Sequence, residues 1–374
     1  MPAEATFALS NAMSLKRSFW QLMRAPSNWT LRCCLKRFRS PLVVPPSGAI
    51  PLLDVQLPIR FAPLVGESGL GYCLRLAHAN GGGLVNLRRA LGMKDREAFR
   101  QWHAPALARL VEVGKSDLGW ILPQAVGRGA GTRLSCYGCR FRSRSALRLR
   151  FAQVCPACVS TYLFSKAEWD LSFSAVCVEH RCNLIDRCPK CNAAIRWERP
   201  SIEWGHCGHL LGGLQQVGQM ADQSLLAQAI LSMRLGHDCV EGLLVEAGLF
   251  PWLAKLSVDG WMNLLLAFGL GCDRWAVARP GIFGKIPTTG FARDVVRRGM
   301  ERLIAWSQSI LDSEELAHFV IDVPMVRLIV EPSGEFDREI LLRTFSMLYG
   351  SKAADQLKRC HPGLGQLSLF EDDA

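Results

Sequence analysis

The sequence predicts a mainly α-helical protein with small β content: a helical N-terminal part, a cysteine-rich module embedded after it, and a C-terminal helical domain. Three observations predict this. Apolar residues recur at helical spacing through residues 57–110 and again through residues 215–374. Between these regions four short pairs of soft ligands follow one another: Cys155-Pro-Ala-Cys158, Cys177-Val-Glu-His180, Cys188-Pro-Lys-Cys191 and Cys207-Gly-His209. Just ahead of them, from Leu118 to Ser165, the chain has arginines and no acidic residue.

A tight turn over two intervening residues brings two sulfurs within the roughly 2.3 Å bonds of tetrahedral zinc, so two pairs make a site and four make two. Sequential pairing groups Cys155, Cys158, Cys177 and His180 in one site, and Cys188, Cys191, Cys207 and His209 in the other. Interleaved pairing joins first with third and second with fourth. Sequential pairing is favoured, because the 18 residues between Cys158 and Cys177 and the 15 between Cys191 and Cys207 fit closure of a zinc ribbon or finger. Filled sites of this kind leave no coordination position for water or substrate, so two structural Zn²⁺ ions supporting the fold are expected.

Composition bounds the rest. A chain of 374 residues exceeds the usual single domain, and 49% hydrophobic content suffices for two or three cores. The most apolar stretch, residues 257–270, falls short of the roughly 18 residues of a membrane span and contains Asp259 and Asn263, so no span is expected. Lys and Arg number 44 against 33 Asp and Glu, a net charge of +11, which favours nucleic acid first and an anionic membrane surface second. Fifteen cysteines concentrated in CxxC pairs of a long chain without a secretory signal fit a reducing cytoplasm with metal sites better than a disulfide scaffold.

In chain order, residues 1–54 read as a basic, flexible extension with breakers from Pro41 to Pro51: an organelle-type leader, an N-terminal arm or the product of an upstream translation start. Its Cys33 and Cys34 have no second pair nearby. Residues 55–125 form the helical N-terminal part. Leu70, Cys73, Leu74 and Ala77 mark a helix that stops at Asn80-Gly81-Gly82-Gly83, a second runs from about Leu84 to Leu91, and a third carries Phe99, Trp102, Ala106 and Leu110 with Pro105 near its start. Short helices joined by glycine-containing turns suit a helix-turn-helix unit, and equally a plain helical core. Residues 126–214 hold the double metal module. Its leading strip contributes Arg133, Arg140, Arg142, Arg144, Arg148 and Arg150, interleaved with Phe141, Phe151 and Tyr162, and guanidinium forks match phosphate oxygens. Alternation from Ala146 to Phe151 predicts a short strand with one basic face. Cys136-Tyr-Gly-Cys139 is a surplus fifth pair: a replacement for one of the four, a site with Cys182 and His206, or free thiols, the last being favoured.

Residues 215–374 predict further helices: one through Leu225, Ile230 and Met233, one capped by Ser257 and burying Val258, Trp261, Leu265 and Phe268, one over about 293–311, and one over about 336–349. Residues 319–330 read as a strand or a buried helix, and the tail ends acidic and mobile.

Enzyme signatures do not assemble. A zinc deaminase needs His-x-Glu ahead of Pro-Cys-x-x-Cys, whereas here the prolines lie inside the pairs. A phosphate-binding loop at Gly284-Lys285 needs glycine where Arg279 stands and Ser or Thr where Ile286 stands. Glu179-His180 as a nuclease dyad lacks a neighbouring carboxylate cluster for Mg²⁺. The chain is therefore expected not to be an enzyme.

The order Leu57-Pro58-x-Arg60 with Pro63, Gly66-Glu67-Ser68, the segment Leu74-Arg75-Leu76-Ala77 with Asn80-Gly81, Cys155-Pro156-x-Cys158, Trp169, Val176-Cys177-x-x-His180, Leu184 and Cys188-Pro189-x-Cys191 resembles the TniQ family, which selects target sites for bacterial transposons. The resemblance spans about residues 57–211. It implies zinc ligands at Cys155, Cys158, Cys177, His180, Cys188 and Cys191, with Cys207 and His209 standing where two cysteines are common. It further implies a cytoplasmic bacterial protein that binds DNA or a CRISPR-type guide RNA complex and recruits an AAA+ transposition ATPase and a transposase, with a homodimer as a further option and no membrane partner. A zinc-dependent transcription regulator binding a fixed operator is the alternative. Gly69, Gly71, Arg181 and Asn192 depart from the family's usual residues.

Overall fold

A computed structural model describes residues 56–126, 133–212, 221–271 and 286–360. The basic extension and the acidic tail lie outside the described residues, as does Arg128, a further arginine of the acid-free strip. Helices α1 (Gly69–Ala79), α2 (Leu84–Ala90), α3 (Ala104–Val111) and α4 (Lys115–Ile121) make the N-terminal part. Ser68 caps α1 by accepting from the Gly71 N–H at 3.2 Å. Buried Glu67 beside it takes a bidentate grip from Arg75, at 2.7 and 2.6 Å. Gly69 and Gly71 follow from close approach. A Cβ on Gly69 would stand 2.2 Å from the Ile121 carbonyl oxygen, and one on Gly71 would stand 2.7 Å from Ser165 Cβ. Only bare backbone lets α1 seat between the end of α4 and the metal module. Of the expected third helix, α3 carries Ala106 and Leu110 with Pro105 in its first turn, whereas Phe99 precedes it and Trp102 lies in a separate short 3-10 turn, Gln101–His103. Helix α4 carries no such signal: its buried apolar positions are only Leu118 and Ile121.

Strands β1 (Gln124–Val126), β2 (Arg133–Cys136) and β3 (Cys139–Phe141) form an antiparallel sheet in sequence order. Cys136 and Cys139 face each other across the Tyr137-Gly138 turn, whose two residues take φ of 55° and 69°, the left-handed pair that tight hairpins need. The strand predicted from Ala146 to Phe151 does not form. Its backbone donors go to different neighbours, with Arg148 N–H donating to the Asp170 carbonyl and Ala152 N–H to the Ile195 carbonyl, each at 2.7 Å. A ladder needs one partner strand, and here single bridges to Leu171 and Arg196 stand in its place.

Helix α5 (Pro156–Tyr162) and the hairpin β4 (Val176–Cys177) and β5 (Cys182–Asn183) follow. The C-terminal region is helical: α6 (Asp222–Leu235), α7 (Glu241–Glu246), α8 (Val258–Leu270), α9 (Thr289–Ser307), α10 (Ser313–Ala317), α11 (Val323–Val330), α12 (Asp337–Tyr349) and α13 (Ser351–Cys360). Ser257 caps α8 as predicted, accepting from the Gly260 N–H at 3.0 Å. Asp337 of α12 holds that cap from outside, accepting from the Ser257 N–H at 2.8 Å and its hydroxyl at 2.7 Å. Of the ambiguous residues 319–330, Val323–Val330 form helix α11 and the four before it take no regular structure. Pro324 fits its first turn, while Met325, Leu328 and Ile329 share one buried face at helical spacing. Glycines let α8 and α9 pack closely, since a Cβ on Gly269 would stand 1.9 Å from the Val295 carbonyl oxygen and one on Gly299 2.5 Å from that of Leu265.

One hydrophobic core runs from Leu70 through the metal module to Ala354. A smaller cluster of Ala175, Val176, Leu225 and Ala292 joins the β4–β5 hairpin to α6 and α9. Polar contacts cross the same boundary. Ser174 donates to Gln228 and Thr289 to Gln153, both at 2.9 Å. Among the described residues, no helix is long and apolar enough to cross a membrane.

Candidate metal centre and basic surface

Two elements build the first cluster. Cys155 is the N-cap of α5, its sulfur accepting from the Cys158 N–H at 3.4 Å, and Pro156 opens the helix. That single turn puts the Cys155 and Cys158 sulfurs on one side. The β4–β5 hairpin supplies the other half. Its turn, with Arg181 at a φ of 49°, presents Cys177 and His180. His180 Nδ1 lies 3.1 Å from Cys158, 3.7 Å from Cys177 and 3.8 Å from Cys155, and Cys158 and Cys177 sulfurs are 3.6 Å apart. All four ligand atoms fall within 4.8 Å of one another. Two sulfurs sharing one tetrahedral zinc stand about 3.8 Å apart, so three thiols and one imidazole at these separations fit the ion. Hydrogen bonds from the Cys158, Cys177 and Cys182 thiols favour the thiolate at Cys155 and hold it well below the ordinary thiol pKa. Glu179 is tied down beside the cluster by Lys166 at 2.7 Å and by the Tyr162 hydroxyl.

Cys182 is the residue that pair-counting missed. It is the direct cross-strand partner of Cys177, and its sulfur lies 3.4 Å from that of Cys155. The signal existed in the sequence, five residues beyond Cys177 in a hairpin, but it belongs to no CxxC or CxxH pair.

The second cluster gathers Cys188, Cys191 and Cys207, with 3.5 Å between the Cys188 and Cys207 sulfurs. Burial raises the Cys188 pKa, but N–H donors from Cys191 and Lys190 together with the Cys207 and Cys191 thiols bring it below the ordinary thiol value. His209, expected as the fourth ligand, is not gathered with them. The Trp204–Leu210 bridge and the 2.7 Å hydrogen bond from Gly205 N–H to the His209 carbonyl fix that backbone, and the imidazole lies outside the ligand group. The grouping is sequential rather than interleaved. Cys136 and Cys139 join neither cluster. Cys136 donates to the Ile121 carbonyl at 3.4 Å, Cys139 lies 3.9 Å from His237 Nε2, and burial raises both thiols, Cys139 to about 11. His206 stands against the Glu198 carbonyl, so the grouping with Cys182 does not form.

The six arginines of the strip divide. Arg148 is 2% exposed, donates to the Pro287 carbonyl at 2.7 Å and faces Asp186 at 3.6 Å, so a phosphate cannot reach it. Its place in the strip is corrected accordingly: burial in the module, where it braces the segment before α9, replaces exposure. Arg142 and Arg133 both reach Glu331 after α11, at 2.5 and 3.3 Å, and the Arg142 N–H donates to buried Asp259. These two join the module to the C-terminal helices. Arg140, Arg144 and Arg150 are exposed. On another side, Arg187 and Arg293 line an open cleft of about 340 Å³ between β5 and the start of α9.

The family profile of TniQ matches residues 58–184, about a third of the chain, covering α1 to β5 and the first cluster and ending before the second. No curated protein matches the sequence. Residues 58–184 are the stretch in which the capped α1, the Cys155–Cys158 turn and the Cys177–His180 hairpin meet, and it is over this stretch that the chain is similar to the TniQ domain.

Proposed function

We propose that this chain is a non-enzymatic adaptor that directs a transposon to its insertion site, binding DNA and bringing an AAA+ transposition ATPase and a transposase to it. The TniQ domain carries the reading. Each structural zinc would lock two chain segments that otherwise have little regular structure, and the rigid module so made would hold Arg140, Arg144 and Arg150 in fixed positions outside it. Phosphate contacts by such residues position a protein on the duplex without reading its sequence, so affinity comes from charge and the choice of site from elsewhere. The absence of an open coordination position in a Cys₃His zinc site, and the engagement of Glu179 by Lys166 and Tyr162, favour an architectural metal over hydrolytic chemistry.

Two measurements test this. Insertion sites mapped with and without the chain, transposase and ATPase being present, should be focused only when it is there; an unchanged distribution refutes target selection. In purified protein, neutralising Arg140, Arg144 and Arg150 together should reduce the slope of log affinity against log salt by up to about 2.7, at roughly 0.9 per phosphate contact. A wild-type slope in that variant moves DNA contact elsewhere on the surface.

A further inference from the structure

A further thiol, Cys182, stands against the first metal cluster without belonging to the four ligand atoms that lie within 4.8 Å of one another. Cys182 is buried, and its sulfur is 3.4 Å from Cys155, as close as Cys158 to Cys177 at 3.6 Å and Cys188 to Cys207 at 3.5 Å, which are pairs placed within ligand groups. Two sulfurs at such a separation are spaced to share a zinc, whose S···S edge is about 3.8 Å. The hairpin explains the placement. Cys177 and Cys182 are paired across β4 and β5, so their side chains leave the same face of the two strands, towards the same cluster. His180 sits in the turn between them, next to Arg181 in the left-handed conformation. The two candidates for the last coordination position therefore come from different parts of one hairpin: an imidazole from its turn, a thiol from its returning strand. His180 is the only imidazole of the group and is half-buried, whereas Cys155, Cys158, Cys177 and Cys182 are all buried.

We propose that Cys182 is a reserve ligand of the first zinc site, taking the coordination position of His180 when that imidazole is withdrawn and converting a Cys₃His site into a Cys₄ site. The exchange breaks a zinc–nitrogen bond and forms a zinc–sulfur bond, the Cys182 thiol releasing its proton to solvent, with no change of oxidation state. It rests on the reading of the cluster as a zinc site. The ion then stays bound by four protein ligands in both arrangements, and the turn from Val178 to Arg181 is free to move without loss of metal.

The test uses the full-length chain, its zinc content after removal of free metal, and cobalt(II) substitution, in which the sulfur-to-metal charge-transfer intensity counts thiolates. Cys182→Ser should keep the wild-type zinc content and cobalt spectrum. His180→Ala should also keep the zinc, and its cobalt form should gain the intensity of one further thiolate at the first site. In His180→Ala/Cys182→Ser zinc affinity at that site should fall by at least roughly tenfold relative to His180→Ala, since even second-shell losses cost 10 to 100-fold. Loss of one zinc equivalent in His180→Ala alone overturns the proposal, whether the cause is weak binding or failure to fold, and so does retained zinc with no added thiolate. Cys155→Ser/Cys158→Ser, which removes two ligands where one spare thiol can replace only one, separates the underlying reading: if it loses no zinc, the cluster is not a zinc site at all, a result distinct from either outcome for His180→Ala.

Discussion

At Asp170, burial and hydrogen bonding oppose each other. The carboxyl accepts from the Tyr137 hydroxyl at 2.5 Å and from Ser68 at 2.7 Å, linking the β2–β3 turn to the cap of α1. Burial nonetheless dominates and raises its pKa to about 7 from 3.8, these hydrogen bonds offsetting part of the rise. Between about pH 4 and 7 the unfolded chain is ionised there and the folded chain is protonated, so this group's contribution to stability falls as pH rises through that range. The slope is at most about 1.4 kcal/mol per pH unit and flattens above pH 7. Asp170→Asn should remove it, which urea unfolding at pH 5.5, 6.5 and 7.5 measures as a difference between variant and wild type. Arg148 shows the same contest in a cation. Burial lowers its pKa to about 10, partly offset by Asp186. Arg148→Ala should cost about 3 kcal/mol of stability, the lower end of what removing one partner of a buried pair costs since Asp186 keeps some contact with water, and leave the salt slope of DNA binding unchanged, in contrast to the exposed arginines.

The metal-bearing elements are too short to stand alone. Helix α5 has seven residues, and β4 and β5 have two each. Isolated helices of that length are unstable in water, and so are two-stranded hairpins. A metal ion held by the Cys155, Cys158, Cys177 and His180 group would supply what length does not, by joining the α5 turn to the hairpin. Cys155→Ser/Cys158→Ser should therefore lower zinc content by one equivalent and Cys191→Ser by one equivalent independently, with thermal unfolding at lower temperature in each case. Loss of both equivalents from either change would mean that the two clusters are not separate sites. The pairs themselves were legible because metal geometry is local: two ligands on one tight turn are set by spacing. His209 was misplaced because its reach depends on a backbone fixed by the Trp204–Leu210 bridge, and Cys182 was missed because a cross-strand partner is defined by register.

For the whole molecule, the C-terminal helices cover surface that the module cannot leave bare. Val176 packs with Leu225 and Ala292, Gln228 accepts from Ser174, and Asp186 accepts from the N–H that opens α9 at 2.9 Å. Arg142 closes the other side through Asp259 and Glu331. Burial raises Asp259 to about 6, with donors from Ser333 and Arg142 holding it lower than burial alone would. A chain ending at Gly212 should expose this apolar face. Relative to the full chain it should bind a hydrophobic dye and aggregate, measured by fluorescence and light scattering; a monomeric, dye-silent fragment would show that the helices are a separable body.

The sequence by itself determined the helical class, the cap at Ser257, the sequential cysteine pairs and the TniQ resemblance, because periodicity, capping and ligand spacing are all set within a turn or two of chain. Tertiary structure alone decided which arginines face water, why Gly69 and Gly71 interrupt a helix start, that Cys182 stands against the first cluster and that His209 does not join the second. Those depend on what lies across from a residue. Arg148 is buried by the module it sits in, Arg133 and Arg142 are engaged by a helix end almost two hundred residues away in sequence, and Cys182 is brought to Cys155 by a strand register that no local spacing encodes.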